Sequence, residues 1–275
     1  MATTQPTSLL FESPPESATT RLNEIALDEA LDISDPLRHL RTDASDFARD
    51  DEDTVVVPSQ PRSILGETIR LTFPVDSPLV SISLKVDASH GCGGIAWPAG
   101  ESETFDAMQV LSNYIAFRGV EYLQGKNIVE VGSGTGLVGL VAGALGGTVW
   151  ITDQAPLLGI MQQNVSLNNL QSCVSVRELN WGETPPSDIP LPELILAADC
   201  VYFEPAFPLL VQTLSEMAVN GSTEILFCYK KRRKADKRFF TMLKKKFSWE
   251  EVGDDPNREI YNREAISLLT LTKRP

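Results

Sequence analysis

Residues 128–153 read IVEVGSGTGLVGLVAGALGGTVWITD, with Gly132, Gly134 and Gly136 at alternate positions between two apolar runs. Glycine lets the backbone bend sharply there and lets a ligand approach it closely. Residues 134–139 (GTGLVG) also satisfy the GxGxxG spacing of dinucleotide folds, a weak signal by itself. A tight strand-to-helix turn that holds nothing would read the same. Two carboxylates separate these readings. Glu130, just before the turn, would repel a pyrophosphate and suits a ligand that carries an ammonium group. Asp153 ends the next strand-like run. An acidic side chain placed there, at the end of the second strand, accepts hydrogen bonds from ribose hydroxyls. The turn also lacks the Lys-Ser/Thr pair of a phosphate loop. The chemistry is that of a nucleoside without phosphate, bearing a cationic tail, and S-adenosylmethionine fits that description.

A second constellation lies in LILAADCVYFEP, residues 194–205. Asp199 and Tyr202 fall just past an apolar run, where a strand would end. Asp199 can orient an ammonium or an amine by hydrogen bonding, and the site must accept a lysine that is mostly protonated at neutral pH. Tyr202 and Phe203 can wall its aliphatic stem and favour a cation by cation–π contact. A capping aspartate would look alike. No metal is expected, because Cys92, Cys173, Cys200 and Cys228 are scattered without a CxxC pair. The run YKKRRKADKR, residues 229–238, reads as a solvated helix start, as a docking patch for an acidic protein face, or as a nuclear-import or RNA patch.

These residues need a scaffold, and the hydrophobic rhythm supplies it. TIRLTF (68–73) and VSISLKV (80–86) alternate and predict a β-hairpin spanning 68–86. TFDAMQVLSNYIAF (104–117) predicts a helix. From residue 127 strands and helices alternate: strand 127–131, helix 137–146, strand 148–153, helix 155–168, strands 174–179 and 194–199, helix 204–219, strand 224–230, helix 234–246. The period of the apolar residues separates the two kinds of element. That order predicts an α/β fold, a largely parallel, Rossmann-like seven-stranded sheet with helices on both faces. The runs 248–252 and 265–271 are expected as an antiparallel pair at the sheet edge, with no helix between them.

Residues 1–60 read as an acidic, disordered N-terminal arm, and 61–275 as one catalytic domain. Residues 1–57 hold 13 acidic and four basic residues, most of the net charge of −13. This balance argues against a protein that coats nucleic acid. The first residues have neither the basic nor the apolar region of a secretory signal, and the longest apolar stretch is too short and glycine-rich to span a bilayer. A cytoplasmic location with reduced thiols is the resulting expectation.

The motifs GIAWPAG, VEVGSGTGLVGL, ITDQ, LNWG and AADCVYFEP, in that order, resemble the seven-β-strand methyltransferases. Within them the chain is most similar to the family-16 (methyltransferase-like 21 type) protein-lysine methyltransferases, from about residue 65 to the end. FCYKKRRKADKRFF looks most like fungal members acting on translation elongation factor 1-alpha. The resemblance implies an S-adenosylmethionine-dependent protein-lysine N-methyltransferase. In it Gly132, Ser133 and Gly134 would line the methionine end, Asp153 the ribose and Trp181 the adenine. Trp97 would contact the cofactor and Ala198 would lie at its edge of the fourth strand, although both tryptophans could equally pack a core. Asp199 and Tyr202 would face the lysine. A monomer acting on a protein, and neither membrane nor nucleic acid, completes the expectation. Against it stand a methyltransferase of another folded protein such as a chaperone or ATPase, a nicotinamide-dependent oxidoreductase, and a non-catalytic binding module.

Overall fold

The computed structural model describes residues 68–73, 79–86, 106–219, 221–232 and 236–275. The expected acidic arm, 1–60, and Trp97 lie outside the described residues. Strands β1 (Thr68–Phe73) and β2 (Val80–Lys85) pair antiparallel as the expected hairpin. The chain continues through α1 (Ala107–Leu123), β3 (Asn127–Val131), α2 (Leu137–Ala144), β4 (Thr148–Asp153), α3 (Ala155–Leu167) and β5 (Val174–Glu178). Next come β6 (Leu194–Ala198), a 3₁₀ turn at Glu204–Ala206, α4 (Phe207–Met217), β7 (Glu224–Lys230) and α5 (Asp236–Leu243). It closes with β8 (Phe247–Glu251), α6 (Arg258–Arg263) and β9 (Ile266–Lys273).

The large sheet has the order β5-β4-β3-β6-β7-β9-β8. Strands β3 to β7 are parallel, and β9 runs antiparallel to both its neighbours. The chain travels outward from β3 to β5, then returns to build β6 on the other side of β3. The connections leaving β3 and β6 therefore diverge, and a crevice opens beyond their carboxyl ends, as at other switch points of open α/β sheets.

Alternation along each central strand assigns its side chains to two core layers. Ile128, Leu194, Leu196, Leu226 and Cys228 face α1, α2, α3 and the hairpin. Val129, Val131, Ile195, Ala197, Ile225 and Phe227 face α4 and α5. Leu196 and Phe227 are fully buried. Burial of such a side chain stabilises by roughly 1.5–3 kcal/mol. Helices thus cover both faces, as expected. Two local expectations change. Helix α1 runs on to Leu123 across a break at Gly119 (φ 71°, ψ −173°). A short helix, α6, separates β8 from β9, where none was expected, although their antiparallel pairing holds.

The hairpin is part of the core rather than an appendage: Phe73, Val80, Ile82 and Leu84 are buried against the helices. Its open edge is completed by two side-chain amides. Asn164 Oδ1 accepts the Lys85 N–H (2.7 Å), and Asn164 Nδ2 donates to the Lys85 carbonyl (3.2 Å). Asn168 does the same for Ser83, at 2.8 and 2.7 Å. Four residues rise about 6 Å along a helix and two residues about 6.8 Å along a strand, so the spacings match. Asn164 also donates to the Thr135 carbonyl (3.0 Å), tying the hairpin to the glycine turn. Asn164→Ala strands these buried backbone groups, and the expected loss is about 1–3 kcal/mol. A lower urea midpoint is the expected reading; an unchanged midpoint contradicts the role.

Candidate active site

The glycine turn is held by a buried mesh of hydrogen bonds. Ser133 is 1% exposed. Its N–H donates to the Thr152 carbonyl (3.0 Å), its Oγ accepts the Thr152 N–H (2.9 Å), and that Oγ donates to the Glu130 carbonyl (3.2 Å). Thr152 Oγ1 donates to the same carbonyl at 2.7 Å. Gly132, Gly134 and Gly136 all have positive φ, at 63°, 56° and 85°. A Cβ on Gly132 would come within 2.8 Å of Trp181 Cζ2. The backbone angle and the indole together leave room there for glycine alone.

Asp153 arrives one residue after Thr152 and remains half-buried. Its Oδ2 accepts the Gly134 N–H (2.8 Å) and its Oδ1 accepts the Gln154 N–H (2.7 Å). Burial raises its pKa, while both N–H groups pull it back. Glu130 is 2% exposed, beneath the turn, and its Oε2 accepts the Gly139 N–H (2.9 Å). Gly136 has no side chain with which to cap α2. Glu130 therefore caps that helix from β3, meeting an N–H of its first turn. Its carboxyl is thus committed to the helix rather than to the surface of the turn.

The donor set fits S-adenosylmethionine. Neither carboxyl at the turn, Glu130 or Asp153, offers a cationic partner to a phosphate, and the Gly134 N–H that could serve one is already held by Asp153. The lone pairs left on Asp153 can accept from a ribose diol.

Trp181 follows β5 and is half-buried against Gly132. Its turn is locked from α4: the Gly182 N–H donates to Thr213 Oγ1 (2.8 Å). Ala198 closes β6, 6% exposed. The register Val131↔Ala197 brings the glycine turn level with the end of β6.

Beyond β6, Asp199 is in the left-handed region, with φ 58°. A side-chain-bearing residue adopts that conformation at a cost of roughly 1–2 kcal/mol. Its N–H donates to the Cys228 carbonyl (2.8 Å), keeping the β6–β7 ladder. Its carboxylate receives both arms of Arg232, Nη1 to Oδ1 at 2.6 Å and Nη2 to Oδ2 at 2.7 Å. Tyr202 and Phe203 follow, half-buried. Arg232, expected as surface charge in a docking run, is instead a partner of the site. Asp106, the N-cap of α1, was not among the expected site residues either. Its carboxyl is pushed up to about 6, by burial first and then by the Asp199 charge among other causes. The cap pattern Asp-x-x-Gln was its only local signal.

Asp153→Ala should weaken S-adenosylmethionine binding by about 1–3 kcal/mol; unchanged affinity in calorimetry contradicts its assignment. Burial pushes the Glu130 carboxyl up to about 8 from an ordinary 4.5, against the pull of the Gly139 N–H. The folded chain therefore holds a proton that the unfolded chain releases. That stability is fully present below pH 4.5 and is lost as pH rises through 8, because the unfolded state binds fewer protons across that window. Relative to Glu130→Gln, which stays neutral, the wild type should lose up to about 1.4 kcal/mol per pH unit there. Urea unfolding between pH 5 and 8 measures it, and a constant difference contradicts it.

A family model described as lysine methyltransferase matches residues 77–246. The chain is 38% identical over 248 residues to the Saccharomyces cerevisiae protein-lysine N-methyltransferase EFM6, covering 80% of this chain and 96% of that protein. It is 41% identical over 176 residues to the Danio rerio protein N-lysine methyltransferase METTL21A, covering 62% of this chain and 78% of that protein. It is 30% identical over 221 residues to the Mus musculus protein-lysine methyltransferase METTL21E, covering 77% and 86%. The glycine turn, its acidic neighbours and these matches lead to one conclusion: the chain belongs to the lysine methyltransferase family, enzymes that use S-adenosylmethionine to methylate lysine in proteins.

Proposed function

We propose that this enzyme methylates a lysine on the folded surface of translation elongation factor 1-alpha, acting as a monomer in the cytoplasm. In this reading Asp153 would hold the ribose, Trp181 would lie along the adenine, and Gly132, Ser133 and Gly134 would line the methionine end, with Ala198 at its edge. Trp97 would add a contact from outside the described residues. Stacking on Trp181 would add about 1 kcal/mol beyond area burial.

When bound, the cofactor would supply an electrophilic methyl group, and this chain's residues would present the lysine nitrogen to it. Asp199 orients the amine, and Tyr202 and Phe203 wall its stem. The product's proton passes to water. The rate gain comes mainly from positioning. One observation carries this reading: a carboxylate in a left-handed conformation at the end of β6, level with the glycine turn on the neighbouring strand.

The substrate rests on two supports. FCYKKRRKADKRFF resembles the fungal enzymes of this factor. Lys231, Lys237, Lys244, Lys245 and Lys246 are exposed around β7 and α5, suiting an acidic protein face. Arg232, paired to Asp199, is not counted in that patch. Free thiols at Cys173, Cys200 and Cys228 are in keeping with a reducing compartment.

Asp199→Ala or Tyr202→Ala should lower turnover about 100-fold or more with little change in cofactor affinity; normal turnover in both contradicts the lysine site. Peptide mass spectrometry of elongation factor 1-alpha from cells lacking this gene should show one lysine without its methyl groups. A pattern identical to the parent strain excludes that substrate, and labelled methyl groups on a chaperone or ATPase instead would redirect it.

A further inference from the structure

Arg232 belongs to a run of basic residues, yet its side chain is only 10% exposed. Its guanidinium grips both oxygens of Asp199, at 2.6 and 2.7 Å. Its own N–H donates to Asp236 Oδ2 (3.0 Å), a buried carboxylate in the first turn of α5. One residue therefore joins the end of β6, the end of β7 and the start of α5. A guanidinium fork fixes the plane of the carboxylate it holds, which a lysine's point charge cannot do.

We propose that Arg232 is the positioning residue of the methyl-acceptor pocket: it fixes the Asp199 carboxylate and, by its charge, makes the pocket take the target lysine as neutral amine rather than ammonium. The proposal rests on Asp199 facing the lysine nitrogen.

The physical need is plain. A free lysine with a pKa of ~10.4 is an ammonium at neutral pH and has no lone pair to give. A lone carboxylate beside it would stabilise that unreactive form. Paired with Arg232, Asp199 presents no net charge but keeps lone pairs that can accept an N–H from the amine and aim it. The nearby positive charge penalises the ammonium.

Other charged or titratable groups surround the pair. Asp236 faces it from α5 and Asp106 from the N-cap of α1. Cys200, just beyond β6, and Cys228 on β7 both feel the Asp199 charge; Asp153 and Glu130 act on Cys200 from β4 and β3, and Asp255 acts on Cys228. Tyr202 and Glu204 follow after β6, with Glu204 paired to Arg238 of α5, and Lys230 and Lys231 precede Arg232. Burial, first among the causes, keeps both cysteines neutral well past their ordinary range.

The test is the initial rate of labelled methyl transfer into lysate protein from cells lacking this gene, at saturating cofactor, from pH 6.5 to 10. Wild type, Arg232→Gln, Arg232→Lys and Asp199→Asn are compared after cofactor affinity and the thermal transition are checked. The rise with pH should move upward by about one unit or more in Arg232→Gln, a roughly tenfold loss near pH 7 that shrinks toward pH 10. Arg232→Lys should keep the wild-type midpoint and lower the plateau. A Gln profile that is merely scaled by one factor at every pH overturns the proposal. If the Gln chain does not fold, the Lys chain decides: a midpoint shifted upward, or a profile equal to wild type, overturns it. Asp199→Asn separates the two levels: full activity there overturns the lysine-site reading itself, whereas lost activity beside a merely scaled Gln profile overturns only the role of Arg232. No transfer by the wild type at any pH overturns both.

Discussion

Where β3 stops, Ser133 and Thr152 satisfy each other's backbone and together cover the Glu130 carbonyl. This mesh is buried, so water cannot replace any member of it, and each unmet group would cost about 1–3 kcal/mol. The end of β3 is thereby locked to the end of β4. Because Thr152 is fixed, Asp153 must emerge beside Gly134. Because Gly132 is fixed at positive φ, the indole of Trp181 can close against it. The cofactor end of the site is a consequence of that one junction.

Carboxylates at the ends of neighbouring strands would repel one another if left alike. The fold gives each a different environment. Glu130 is buried against the start of α2 and favours its proton. Asp153 keeps part of its surface and shares two backbone N–H groups. Asp199 is neutralised by a guanidinium from the next strand. One side-chain chemistry thus supplies a helix cap at Glu130, an acceptor of two backbone N–H groups at Asp153 and one half of a guanidinium ion pair at Asp199; in the proposed reading the last two serve the ribose and the target amine. A cationic cofactor and an amine substrate suit such a site, and a pyrophosphate does not.

The parallel core was legible because alternating apolar runs report both faces of a buried strand, and the glycine turn because no other residue tolerates its backbone. Asp153 and Asp199 were legible as acids at strand ends. Arg232 was not: its partner is distant in the chain, and its neighbours Lys230 and Lys231 make the run look solvated. Asn164 and Asn168 look like the polar stripe of α3 until β2 is laid against them. Helix α6 is too short to show a period. Gly119 breaks α1 where the apolar pattern continues. Long-range pairing escapes a local reading, and these features all depend on it or on length.

The most direct measurement is a crystal structure with an adenosine analogue whose sulfonium methyl is replaced by a carbon chain ending in an amine. The ribose hydroxyls should lie on Asp153, the adenine against Trp181, and the amine within about 3.2 Å of Asp199 with Arg232 still paired to it. An amine pointing away from Asp199, or a nucleoside bound elsewhere than beyond the ends of β3 and β4, would contradict it.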